Sequence, residues 1–178
     1  MRIDLNTHLI DEAIIIASPN CDLRPAGMLP ELIVVHGISL PPAEYGGGHV
    51  QQFFSNKLDT SEHPYFAEIA DLKVSSHLYI ERDGCLTQFV PLNLRAWHAG
   101  QSCYQGREAC NDFSIGIELE GSDDQAYSEE QYAVLKSLIS CLQETYKGIT
   151  AKAIVGHNDI APGRKTDPGA SFDWSRIK

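Results

Sequence analysis

Nothing in this chain of 178 residues is long and apolar enough to cross a bilayer, since a spanning helix needs about 20 such residues. The densest candidate, Ala13-Ile14-Ile15-Ile16-Ala17, is short and follows Asp11-Glu12, and Met1 to His8 joins no basic segment to an apolar one. Neither a secretory leader nor a membrane anchor is read here, and a cytoplasmic setting is expected. Basic residues are scarce: Lys and Arg number 14 against 24 Asp and Glu, for a net charge of −10. That balance argues against nucleic acid or an anionic membrane as the main partner, because both demand a cationic surface. The cysteines number five, an odd count, and none is spaced Cys-x-x-Cys. No disulfide framework is expected, and the thiols read as small apolar residues of the interior. Repeats, low-complexity tracts and charge blocks are missing too, so there is no linker to cut at, and the length suits one domain spanning 1–178. With 21% charged and 43% hydrophobic residues, disordered and fibrous classes drop out.

What is present is a set of apolar runs joined by turn signals. Glu31-Leu32-Ile33-Val34-Val35-His36-Gly37 and Ala153-Ile154-Val155-Gly156-His157 are β-branched runs that end in histidine, and both read as buried strands. Val74 to Glu81 alternates apolar and polar residues, then Asp83-Gly84 leads into Cys85 to Val90, the pattern of a hairpin. Alternation in Phe113 to Leu119 places Phe113, Ile115, Ile117 and Leu119 on one face and Gly116 with Glu118 on the other. Helices are expected over His49 to Leu58 and Tyr65 to Leu72. A longer one opens at a Ser128 to Gln131 capping box, carries Tyr132, Leu135, Ile139, Leu142 and Tyr146 on one stripe, and ends near Gly148. Between His36 and the first helix, Ser39 to Gly48 holds two prolines and three consecutive glycines, which predicts an irregular loop beside the strand end. Strands alternating with helices around a hairpin imply an α/β fold with a mixed central β-sheet flanked by helices.

Two histidines at the carboxyl ends of strands, 121 residues apart, stand where α/β proteins usually build their sites. With Asp167 in the loop after His157 they make a set of three protein ligands for one Zn2+, leaving the fourth position to water. No His-Glu-x-x-His helix and no cysteine quartet competes for that role. A pair of histidines satisfied within the core is the alternative. Glu118, on the polar face of its strand, is the candidate base for water and acid for a leaving amine. Lys165, two residues before Asp167, would project to the same side of an extended loop and stabilise an oxyanion. A cysteine nucleophile, Cys85 or Cys110 with His77, is a further idea without supporting sequence context.

Four stretches carry a family resemblance: Leu29 to His36, Arg95-Ala96-Trp97-His98-Ala99-Gly100, Cys110 to Gly121, and Gly156 to Gly169. Together they resemble the type 2 N-acetylmuramoyl-L-alanine amidases over a core of about residues 14–174. The resemblance implies zinc on His36, His157 and Asp167, with Glu118 and Lys165 as catalytic partners. It also implies the fold of the phage lysozyme-like amidases and peptidoglycan recognition proteins. An aspartate at 167, where many relatives use cysteine, favours the branch that cuts 1,6-anhydro-N-acetylmuramic acid from L-alanine in cytoplasmic peptidoglycan recycling. On that reading a monomer takes a small-molecule muropeptide, with Tyr45, Lys73, Trp97, His98, Arg107 and Ala161 as substrate contacts. Flat rings suit pyranose faces, and Lys73 and Arg107 would meet the peptide carboxylates, Ala109 offering no charge. A peptidoglycan-binding module that keeps the fold without catalysis is the rival.

Overall fold

The computed structural model describes residues 1–177. Its centre is a six-stranded sheet built from β1 (Ile14–Ile15), β2 (Leu32–Ile38), β3 (Leu78–Ile80), β4 (Leu86–Gln88), β5 (Ser114–Glu120) and β6 (Ile154–Gly156), in the order β6-β2-β5-β3-β4-β1. β6, β2, β5 and β3 run parallel, while β4 turns back antiparallel to β3 and carries β1 along with it. The sheet is therefore mixed, as expected. Four strands pointing one way bring their carboxyl ends to one edge, and the residues of interest collect there.

Both faces are covered at the centre of the sheet, so the alternating strands β3 and β5 bury every residue, while the edge strand β1 stays exposed. On one face Ile33, Val35, Leu78, Ile80, Ile115, Ile117 and Leu119 pack against Tyr132, Leu135, Leu138, Ile139 and Leu142 of α3 (Glu129–Thr145). Each fully buried aliphatic side chain contributes on the order of 1.5–3 kcal/mol. On the other face Tyr79 joins Phe54, Phe66 and Phe89 from α1 (His49–Phe54), α2 (Pro64–Ile69) and the end of β4. Phe113 departs from the expected alternation: it precedes β5, adopts φ −127° and ψ 10°, and packs with Leu32, Val34 and Cys110 on the side opposite α3. The expected strand over Val74 to Glu81 contracts to β3: Ser75 turns away from the sheet, its N–H donating to Trp97 O and its hydroxyl to Asn20 O, while His77 still donates its N–H to Gly116 O of β5. α1 stops before Leu58, since Asn56 takes φ 58°, outside helical space.

The hairpin forms as read, with Gly84 at φ 86° in its turn and Asp83 accepting from Cys85 N–H. The capping box also forms: Ser128 Oγ accepts from Gln131 N–H at 3.1 Å, and Gln131 Oε1 from Ser128 N–H at 3.0 Å. Among the cysteines only Cys110 is buried; Cys21, Cys85 and Cys141 are half-buried and Cys103 is exposed, so the interior role expected of all five holds for one. All are free thiols. No helix among the described residues is long and apolar enough to cross a membrane.

Gln131 ties α3 to the sheet, because its fully buried amide nitrogen donates to Ile80 O at 3.1 Å and Glu120 O at 3.0 Å. Gln131→Met keeps the length but strands two buried carbonyls and the Ser128 amide, so we expect a loss of about 3 kcal/mol. A fall of roughly 6–12 °C in the thermal midpoint should follow, measured by calorimetry. An unchanged midpoint would show that these bonds add nothing.

Candidate active site

The in-register pairing of β5 with β2 sets Glu118 beside His36, and that of β5 with β3 sets Tyr79 on its other flank. Neighbours in a parallel ladder share a face, so His36 and Glu118 project together away from α3. His157 follows β6 as the first residue of a short helical turn, α4 (His157–Ile160), started by Asp159, whose Oδ2 accepts from Gly156 N–H at 2.8 Å. Asn158 N–H donates to Asp167 O at 3.0 Å, which folds the following loop back onto that turn. The sequence predicts a loop here; the structure forms one helical turn, with His157 buried at its start.

Three ligand atoms converge. His36 Nδ1 and His157 Nδ1 lie 3.0 Å apart, and Asp167 Oδ2 is 3.2 Å from the first and 3.0 Å from the second. Both histidines are buried, and the Asp167 side chain is 16% exposed. Among the described residues this is the cluster able to hold a metal ion. His157 Nε2 lies 3.1 Å from Ala99 O, an atom that only accepts, so Nε2 carries a proton and, in the neutral ring, Nδ1 is a bare lone pair. Burial by itself would raise the Asp167 carboxyl, but its contacts with the His157 and His36 rings outweigh this and hold it low, so it is ionised. A lone pair and a carboxylate at this distance repel unless a cation sits between them. A proton is disfavoured on His36, since burial lowers that imidazole to about 4. Two neutral nitrogens and one carboxylate are the donor set of a catalytic zinc site.

Glu118 stands beside the cluster, with Oε1 4.0 Å from His36 Nδ1 and Oε2 buried without a hydrogen-bond partner. Burial first, and then the negative charge of Asp167, push its carboxyl well above the usual range, with the Lys165 ammonium opposing. Lys165 is exposed but lines the same cleft, which has a volume of about 480 Å³ and a far wall built from Phe53, Tyr65 and Ile69 of the two short helices. The loop after His36 borders it through Ser39, Leu40, Pro42 and Ala43, as expected.

The expected substrate contacts scatter. His98 is on the cleft wall, but its nitrogens are engaged: Nδ1 meets His36 Nε2 at 2.9 Å and Nε2 meets Ser114 Oγ at 3.1 Å. Trp97 turns its indole to Asp22. Tyr45 bonds Ser122 Oγ at 3.1 Å and Gln125 Oε1 at 2.5 Å. Lys73 is exposed on a separate small cavity with Asn56 and Leu58. Arg107 pairs with Glu31 at 2.6 Å and stacks on Phe113, 3.7 Å from the ring centre, in another cavity. Ala161 borders a third cavity with Arg164 and Gly100. The structure therefore brings His36, His157, Asp167, Glu118, Lys165 and His98 together, leaves Tyr45 and Trp97 bonded to the cleft residues Ser122 and Ser75, and sets Lys73, Arg107 and Ala161 on other cavities. The cysteine idea also fails on geometry: His77 spends its nitrogens on Gly116 N–H and Leu94 O, and burial raises the Cys85 and Cys110 thiols away from thiolate.

Two supporting residues were not found from sequence. Tyr127 donates to Pro168 O at 2.9 Å, next to Asp167, and fits only because Gly37 and Gly121 lack side chains; an added Cβ would come within 2.3 Å and 2.4 Å of it. Ser114 is the other, reached through His98.

Comparisons with known proteins point to one family. The chain is 52% identical over 173 residues to the 1,6-anhydro-N-acetylmuramyl-L-alanine amidase AmpD of Haemophilus influenzae, covering 97% of this chain and 94% of that one. A crystal structure of a selenomethionine AmpD derivative superposes with a TM-score of 0.96 at 52% identity, covering 99% and 97% of the two chains. The amidase AmiD of E. coli, solved with the substrate anhydro-N-acetylmuramic acid-L-Ala-D-gamma-Glu-L-Lys, matches with a TM-score of 0.61 at 28% identity, covering 86% of this chain and 59% of that one. The N-acetylmuramoyl-L-alanine amidase family model matches residues 26–170, a span that includes every residue of the cluster, and the chain belongs to that family.

Proposed function

We propose that the protein is a zinc-dependent amidase of cytoplasmic peptidoglycan recycling, which hydrolyses the amide between 1,6-anhydro-N-acetylmuramic acid and the L-alanine of the attached peptide. The observation that carries this reading is the buried Glu118 carboxyl, with one oxygen unpartnered, beside the His36, His157 and Asp167 cluster. A module that only bound peptidoglycan would gain nothing from a desolvated carboxyl there, which costs free energy to bury. The substrate is the one carried in the name of the amidases that share about half of this sequence.

His36, His157 and Asp167 would hold the metal. When bound, zinc supplies a Lewis acid that polarises a carbonyl and acidifies water to a pKa of about 7. Glu118 takes the proton of the attacking water and then delivers it to the alanine nitrogen as the bond breaks. Its raised affinity for protons suits both halves of that transfer, since a group that accepts at neutral pH must also be able to give. Lys165 lies within electrostatic reach of Glu118 and His36 and would supply an ammonium to the carbonyl oxygen as it gains charge.

Incubating the protein with purified anhydromuropeptides, with and without a chelator, should give anhydro sugar and free peptide by mass only when metal is retained. Intact substrate under both conditions would overturn the proposal. Asp167→Ala should lose the metal along with activity, measured by zinc content after gel filtration; stoichiometric zinc in that variant would remove Asp167 from the ligand set. Glu118→Gln should keep fold and zinc but lose about 10²–10⁴ in turnover, whereas near-normal turnover would return Glu118 to a bystander role.

A further inference from the structure

The direction of every hydrogen bond behind His36 can be deduced from one atom that cannot donate. Cys110 O, a backbone carbonyl, lies 2.6 Å from Ser114 Oγ, so the serine hydroxyl spends its only proton there. Ser114 Oγ can then only accept from His98 Nε2, at 3.1 Å. His98 is left with a bare Nδ1, 2.9 Å from His36 Nε2, and that contact is a hydrogen bond only if His36 donates. A neutral His36 with its proton on Nε2 presents an unprotonated Nδ1 to the cluster.

We propose that Ser114 and His98 are positioning residues that hold His36 in the one tautomer able to ligate the metal, an inference that rests on the zinc reading above. The companion ligand needs no such device. His157 Nε2 faces the carbonyl of Ala99 at 3.1 Å, and a carbonyl admits one direction only. His36 instead faces a second imidazole, which could donate or accept, so its tautomer is undetermined until something orients His98. Ser114 does so, from the start of the same strand that carries Glu118.

Room for this arrangement comes from Gly116. A Cβ there would stand 2.5 Å from His98 Cγ and 2.7 Å from its Nδ1, so any side chain would evict the ring. The sequence therefore spends alternate positions of β5 on one face as Ser114, Gly116 and Glu118: one orients the imidazole, one makes space for it, and one faces the substrate cleft. This moves His98 from a sugar contact to a residue acting through His36.

The test reads metal affinity and proton position, not turnover alone. Removing the acceptor in His98→Leu should weaken zinc binding about 10–100-fold by chelator competition, the usual scale for a partner behind a metal ligand. His98→Asn, whose amide oxygen takes the place of Nδ1, should rescue it to within about threefold. Ser114→Ala should weaken binding in the same direction. Long-range proton–nitrogen NMR of the wild type should find the His98 proton on Nε2. A proton on His98 Nδ1, or zinc binding by folded His98→Leu equal to that of the wild type, would overturn the proposal. Wild-type protein that takes up no zinc would remove the metal reading instead, while the His98 tautomer would still decide the direction of the chain.

Discussion

The parallel, in-register ladder between β2 and β5 is the constraint on which the site depends. It pairs Glu118 with His36 and Gly116 with Val34, and the pleat turns Glu118 and His36 to the same side. A slip of β5 by one residue would send Glu118 to the α3 face, where Ile117 now sits in the main core, and part it from His36. The hydrophobic set on that face thus guards the register of the polar set on the other. Burial of aliphatic side chains against α3 and convergence of the ligands are two consequences of one alignment.

Around that ladder, absent side chains do much of the positioning. Gly37 and Gly121 leave the slot that Tyr127 fills, and Tyr127 in turn holds the backbone beside Asp167. Gly116 makes the seat for His98. Each glycine sits on a strand or at its end, where the residue is otherwise poorly suited, weakening a strand by its flexibility and its lack of packing surface. Here the missing Cβ admits an aromatic ring to a place near the ligands.

Electrostatically the site is a contest between desolvation and proximity. Burial disfavours charge on His36 and on Glu118, whereas the contacts of Asp167 keep that carboxylate ionised. The outcome is a pocket with two imidazole nitrogens, one anion, and a second carboxyl whose affinity for protons burial raises. A divalent cation satisfies the first three and leaves the fourth free to exchange protons with water. Lys165, exposed at the rim, adds positive charge without being buried, so it avoids the desolvation cost that a deeper lysine would carry.

Much of this was legible in the sequence. Two apolar runs ending in histidine, the Asp-Gly hairpin, the Ser128 capping box and the polar face bearing Glu118 all follow from local rules of alternation, capping and turn chemistry, and each appears in the structure. Local rules do not reach across strands. That Lys73, Arg107 and Ala161 line other cavities while Tyr45 and Trp97 touch the cleft only through Ser122 and Ser75, and His98 sits behind His36, depends on which loops pack together, and no spacing records it. The orientation of His98 by Ser114 likewise passes through Cys110, Ser114, His98 and His36, residues from separate segments joined only by close packing. The chain by itself determined the elements, the faces and the chemical types of the ligands, because backbone preference and side-chain alternation act over a few residues. Only the tertiary structure decided which nitrogens face the cluster and which carry protons, because hydrogen-bond direction is set by partners brought together across the whole fold.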